Sequence, residues 1–166
     1  VTTPLIHIRR DPRAVIESLL RQKWANWARK ISLEQLLLGN GDGRSKVFQH
    51  WENEIRYSDA EDTFPVRLGI YWALTEWYVD KFSDGTVIIE FERFCTERAN
   101  YLNDRLNGLG FPEVRPVDIR KESQTSSSTT LTKKRRINRW KDSLETKLVD
   151  QLNDRISDFG LESMIP

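Results

Sequence analysis

LIHIRRDPRAVIESLL, residues 5–20, decides how the rest of the chain is read. Leu5, Ile6 and Ile8 form a short apolar run that stops at Arg9-Arg10-Asp11-Pro12. Val15, Ile16, Leu19 and Leu20 then recur at helical spacing. Asp11 suits an N-cap, and Pro12 suits the first helical position, where its missing N–H costs nothing. The stretch therefore reads as a buried strand, a tight turn and a helix, with two arginines at the helix mouth. Free N–H groups and the positive end of the dipole favour an anion there, and Arg10 adds a planar fork of donors. This predicts a phosphate or sulfate site at the carboxyl end of a strand. The same residues also serve a plain Arg–Asp pair tying a cap, and the spacing alone leaves both readings open.

A chain of 166 residues with 38% hydrophobic content is expected to form one domain, residues 1–166. Its 26 basic and 25 acidic residues leave a net charge of +1, so no global field draws it to nucleic acid or membrane. No apolar run approaches the ~20 residues of a transmembrane helix, and no signal peptide is visible. A cytoplasmic protein is expected, with a Golgi-lumen domain as the alternative. The chain opens at Val1, without an initiator Met, and reads as a piece of something longer. Cys95 is the lone cysteine, which excludes an internal disulfide, and is read as a small packing residue.

Further along, the first helix is expected to run to about Lys30. Ser32-Leu33-Glu34-Gln35 resembles a capping box opening a short helix through Leu38. GNGDGRSK, residues 39–46, lacks the Lys-Ser/Thr after its last Gly and the preceding strand of a Walker loop, so it reads as a flexible surface loop. A helix is expected from Val47 to Tyr57, with Val47, Phe48, Trp51 and Ile55 on one face. After the polar SDAEDT, FPVRLGIYWALTEWYVDKF predicts a long helix sunk in the core. TVIIEF predicts a buried parallel strand, and FCTERANYLNDRLNGLG a helix with Leu102 and Leu106 inward. Residues 111–120 show no clear period. SQTSSSTTLT, residues 123–132, predicts a mobile loop ending in Lys133-Lys134-Arg135-Arg136. Asp142 and Glu145 form an N-terminal box, Leu144, Leu148, Leu152 and Ile156 bury a last helix, and Gly160 stops it. Strand–helix, helices, strand–helix implies a parallel α/β sheet.

The order of these pieces resembles the cofactor-binding back half of the PAPS-dependent sulfotransferases, over nearly the whole chain. RDPRAVIES places Arg10 and Ser18 at the family's Arg–Ser spacing; VIIEFERF matches its strand and Tyr-Glu-Asp-Leu-like stretch; KKRRINRWKDSL matches its basic loop and Trp-Lys-Asp segment. The resemblance implies that Arg10 and Ser18 hold the 3′-phosphate of 3′-phosphoadenosine 5′-phosphosulfate (PAPS; its product is PAP). It implies a basic lid, residues 121–139, whose Lys133 and Lys134 reach the same phosphate, with Arg139 adding a contact. Phe91 stands where many members have a Tyr near the adenine, and keeps the stacking face without the hydroxyl. The implied fold is part of a P-loop-NTPase-like three-layer α/β domain, a parallel sheet flanked by helices. The implied reaction is metal-free, in-line sulfuryl transfer to a hydroxyl or amine of a small-molecule or carbohydrate acceptor.

The family's 5′-phosphosulfate loop has no counterpart here, and its catalytic base, a His or Glu, is expected upstream of Val1. His7, inside the apolar strand, reads as a packed core histidine, and His50 beside Trp51 has no catalytic signature. Two histidines and no clustered cysteines give no zinc site. The acceptor is expected near residues 39–45, Trp24, Trp27 and Trp51, although Trp51 also reads as core. Two other readings stay open. One is a non-catalytic nucleotide-binding relative. The other is a nucleic-acid-binding module suggested by KKRR and six tryptophans, against which the balanced charge argues. An unpaired strand edge allows a homo-oligomer.

Overall fold

The computed structural model describes residues 5–21, 32–39, 41–115 and 139–165. Strand β1 (Ile6–Arg9) pairs in parallel with β2 (Val87–Glu90), aligning Ile6 with Val87, Ile8 with Ile89 and Arg9 with Glu90. The parallel α/β character expected from the two apolar runs is present, in a molecule otherwise dominated by helices. Both runs are β-branched, which suits a pleated surface.

Helix α1 (Pro12–Arg21) follows β1 at once. α2 (Leu33–Leu37) begins with the expected capping box: Ser32 Oγ accepts from the Gln35 N–H at 3.0 Å, and Gln35 Oε1 accepts from the Ser32 N–H at 3.4 Å. α3 (Gly43–Phe48), a 3₁₀ turn (Gln49–Trp51) and α4 (Glu52–Glu61) lead to the long α5 (Phe64–Phe82). After β2 come α6 (Phe91–Glu97) and α7 (Ala99–Leu106); α8 (Trp140–Ser143), α9 (Thr146–Asp158) and a 3₁₀ turn (Glu162–Met164) complete the order.

One core joins these pieces. α5 supplies Val66, Ile70, Ala73 and Leu74, and α1 and α9 pack on it through Ile16, Leu152 and Ile156. Gly69 marks the crossing: a Cβ there would stand 2.1 Å from Leu152 Cδ1 and 3.1 Å from Ile16 Cδ1. α9 ends as expected at Gly160 (φ +68°), whose N–H reaches the Ser157 carbonyl while the Leu161 N–H reaches Ile156.

Several local expectations are corrected. Residues 39–46 are not wholly loop, because Asp42 accepts from the Ser45 N–H at 2.8 Å and caps α3. The helix expected over 47–57 is divided by the 3₁₀ turn, and Ser58–Glu61 of the polar SDAEDT continue α4 with Ser58 fully buried. The single helix expected after β2 breaks at Arg98, whose φ of +52° no right-handed helix accommodates. Tyr101 and Ala99 take the buried places there, while Leu102 and Leu106 are half-buried. Asp142 and Glu145 form no box: Asp142 lies inside α8, and Glu145 caps α9 without a side-chain bond. His7 is not packed in apolar surroundings. Its Nε2 lies 2.8 Å from Glu76 Oε2 of α5, which also accepts from Arg9 Nε at 2.9 Å. The end of α1 toward Lys30, with Trp24 and Trp27, lies outside the described residues.

Candidate functional site

At the carboxyl end of β1 the chain turns through Arg10 and Asp11 into α1. Asp11 Oδ1 accepts from the Arg13 N–H at 2.8 Å, the N-cap bond expected of it, and Pro12 occupies the first helical position. The Arg13 guanidinium grips the same carboxylate with Nε to Oδ1 and Nη2 to Oδ2, both at 2.8 Å. The Arg–Asp pair anticipated as the plain alternative is therefore real, but it is made by Arg13 and leaves Arg10 unpaired with Asp11. The plain alternative is met by Arg13, and Arg10 is placed elsewhere.

Arg10 turns the other way. Its guanidinium carbon lies 4.9 Å from the centroid of Phe91, the first residue after β2. Arg10 Nε is buried and has no hydrogen-bond partner among the described residues. An unsatisfied buried donor costs free energy comparable to a lost hydrogen bond, so this one calls for a partner. Glu92, next to Phe91, accepts the Asp11 N–H at 3.2 Å and so ties the end of β2 to the turn. Burial pushes its carboxyl above the ordinary glutamate value, and the negative Asp11 adds to this. Its own and the Asp11 N–H groups, with Arg10, oppose the rise.

The third segment comes from the far end of the chain. Trp140 lies under Arg13, with the guanidinium carbon 4.2 Å from the ring centroid, and its Nε1 is a second buried donor without a partner among the described residues. Arg139 binds Glu17 of α1 in a fork, Nε to Oε1 and Nη2 to Oε2, both at 2.9 Å. Glu17 is buried and, through these bonds, raises the Arg139 pKa. Ser18, the next residue, is half-buried on α1, about 9 Å along the helix axis from Pro12 at 1.5 Å per residue.

Of the residues expected to bind the cofactor, Arg10, assigned to the phosphate, and Phe91, assigned to the adenine, meet directly. Ser18 and Arg139 lie on or against the following turns of α1, with Arg139 already engaged. Lys133 and Lys134, with the basic lid, lie outside the described residues. Sequence reasoning missed Glu17, Glu92 and the Arg13–Trp140 stack. The first lies 122 positions from its partner, which no local pattern signals. Cys95 is half-exposed, and burial raises its thiol, followed by the negative Glu92, which agrees with a packing role. No group of His, Cys, Asp and Glu among the described residues could hold a metal ion. No helix among the described residues is long and apolar enough to cross a membrane. His50 stacks on Trp51 with centroids 3.6 Å apart, and Trp51 meets Trp77 edge-on, so Trp51 is packed against the core as one of its two readings had it. No family model matches the chain, and no curated protein or solved structure matches it either.

Proposed function

We propose that this chain is the 3′-phosphate-binding part of a sulfotransferase that uses PAPS and sulfates a hydroxyl or amine acceptor. One observation carries the reading. Three segments far apart in sequence, RDPRAVIES, EFERF and RWKDS, meet around the head of α1, and two buried donors there have no partner among the described residues. A 3′-phosphate fits that arrangement. It takes charged bonds from a guanidinium fork, and the positive end of the α1 dipole favours it. Phe91 offers a flat face to a purine, which it now presents to Arg10. On this reading β1 and β2 belong to a larger three-layer, P-loop-NTPase-like sheet, and the 5′-phosphosulfate loop and the base lie outside this chain.

PAPS supplies the sulfuryl group and the leaving 5′-phosphate when bound. The residues of this chain bind and orient it. Arg10 holds the 3′-phosphate, the positive end of the α1 dipole favours it although the Asp11, Arg13 and Val15 N–H groups are already bonded, and Trp140 Nε1 donates. Arg139, held by Glu17, keeps the RWKDS segment against α1 beside Ser18. The contribution is one of affinity and position, which brings the sulfur into line with an acceptor without touching the reacting bond.

Calorimetry with PAP tests the reading. Arg10→Ala should weaken binding by roughly 2–4 kcal/mol, the usual loss on truncating one partner of a charged, hydrogen-bonded pair. Unchanged affinity would remove Arg10 from the site and the family assignment with it.

A further inference from the structure

Two carboxylates stand at the mouth of α1, where the proposed phosphate binds, and among the described residues only one of them has an ion-pair partner. Asp11 is held by the Arg13 fork and by the cap bond. Glu92 reaches into the same turn from the end of β2 and accepts the Asp11 N–H. No cation lies within ion-pairing distance of Glu92 among the described residues. Among the described residues, the charged and titratable groups that face it are Arg10 and Asp11 from the turn and Cys95 from its own helix. Arg13 is spent on Asp11, and Arg93 on Glu90 and Glu97 along the outer side.

We propose that Glu92 is a positioning residue that couples occupation of the phosphate site to uptake of a proton. The inference rests on the reading of the site given above and adds to it a regulation of that site. With a phosphate bound, Glu92 serves two partners. As an acceptor on the Asp11 N–H it fixes the turn that aims Arg10, and either the neutral or the ionised carboxyl can accept that bond. As a charge it stands beside the place of a dianion, and like charges that close oppose one another. An arriving phosphate therefore favours the neutral carboxyl, which keeps the Asp11 bond and gains an O–H to donate. The rise of the Glu92 carboxyl through burial puts this exchange closer to neutral pH than an ordinary glutamate would.

The test is calorimetry of PAP on the full chain, in two buffers of different ionisation enthalpy, for wild type and Glu92→Gln. Gln keeps the acceptor for the Asp11 N–H and cannot titrate. From about pH 5 to about pH 8 the wild type should lose about tenfold more affinity than the variant, the equivalent of one unit of coupling. The 3′-phosphate titrates in both proteins, so only their difference is read. Wild type should also take up more protons per PAP bound than Glu92→Gln. Equal proton counts and parallel pH profiles would overturn the role of Glu92 while leaving the phosphate site standing. Wild type that does not bind PAP would overturn the site itself, and this inference with it. If Glu92→Gln fails to fold, the wild-type count still decides. It must exceed the proton balance of PAP's own titration, and a count no greater than that balance overturns the coupling.

Discussion

Glu76 is a single buried carboxylate, 4% exposed, that joins the sheet to the long helix by accepting from both His7 and Arg9. Arg9 also reaches Asp80, one turn further along α5, at 2.5 Å. Burial works against the Arg9 charge, yet the two carboxylates prevail and its pKa rises. Glu76→Ala leaves a partly buried guanidinium short of its main partner, and should cost about 3–5 kcal/mol in urea unfolding. Glu76→Gln keeps an acceptor and should cost less. A loss below about 1 kcal/mol for the alanine variant would place the pair among solvated surface bridges. Glu92 gives a pH-dependent counterpart. Its folded pKa lies above the ordinary value, so its contribution to stability is full in acid, below the unfolded pKa, and is lost as pH rises through the folded value. Glu92→Gln should therefore raise the melting temperature at neutral pH, with the gain shrinking toward acid; a gain that grows toward acid would contradict that sign. Asp11 and Pro12 were legible in the sequence because cap chemistry works over a few neighbouring residues. The Glu76 pairing spans 69 positions, and residues 5–8 read as apolar gave His7 no visible reason to seek a carboxylate.

Elements were legible where pattern and termini agreed. α2 announced itself by its capping box and α5 by nineteen largely apolar residues whose breakers, Pro65 and Gly69, lie in its first two turns. β2 showed in its β-branched run. Breaks inside helices were illegible, because Arg98 carries no turn signature and adopts its positive φ where α7 tucks Tyr101 beneath β2, its hydroxyl accepting the Glu90 N–H at 2.8 Å. The head of α3 was misread for the opposite reason: glycines on both sides of Asp42 masked a good cap. Gly69 tests how tightly α5 is packed between its neighbours. Exposed in a helix interior, Gly→Ala gains roughly 0.5–1 kcal/mol. Here the new methyl meets Leu152 Cδ1 at 2.1 Å, so Leu152 must leave its rotamer or α9 must move. Overpacking of this kind costs about 1–3 kcal/mol and outweighs the gain in propensity. Gly69→Ala should lower the urea midpoint, and Gly69→Ala with Leu152→Val should recover part of it. A stabilised single variant would mean that α1, α5 and α9 are less closely fitted than this crossing implies.

At the scale of the molecule, the two edges of the sheet differ. A parallel ladder uses alternate residues of each strand. The Leu5 carbonyl accepts from the Val87 N–H at 2.9 Å, which assigns Leu5, His7 and Arg9 to β2 and leaves the backbone groups of Ile6 and Ile8 on the far side. The outer edge of β2 is closed by side chains: Arg105 Nε donates to the Ile88 carbonyl at 3.0 Å, and Tyr101 takes the Glu90 N–H. The outer edge of β1 has no such cover among the described residues, and its apolar side chains are open, with Leu5 60%, Ile6 41% and Ile8 61% exposed. Parallel strands belong in sheet interiors, and an open apolar edge is a template for another chain. Residues 1–166 by themselves should therefore self-associate or stay poorly soluble, and on the sulfotransferase reading they should not turn over PAPS. Ile8→Lys puts a charge on the open edge without touching the core, and should raise the monomer fraction in size-exclusion chromatography at unchanged melting temperature. On that same reading, joining a segment that carries a 5′ loop and a base should restore both solubility and turnover. A monomeric, active wild-type chain 1–166 would mean that β1 already has its neighbour and that the catalytic groups lie within these residues.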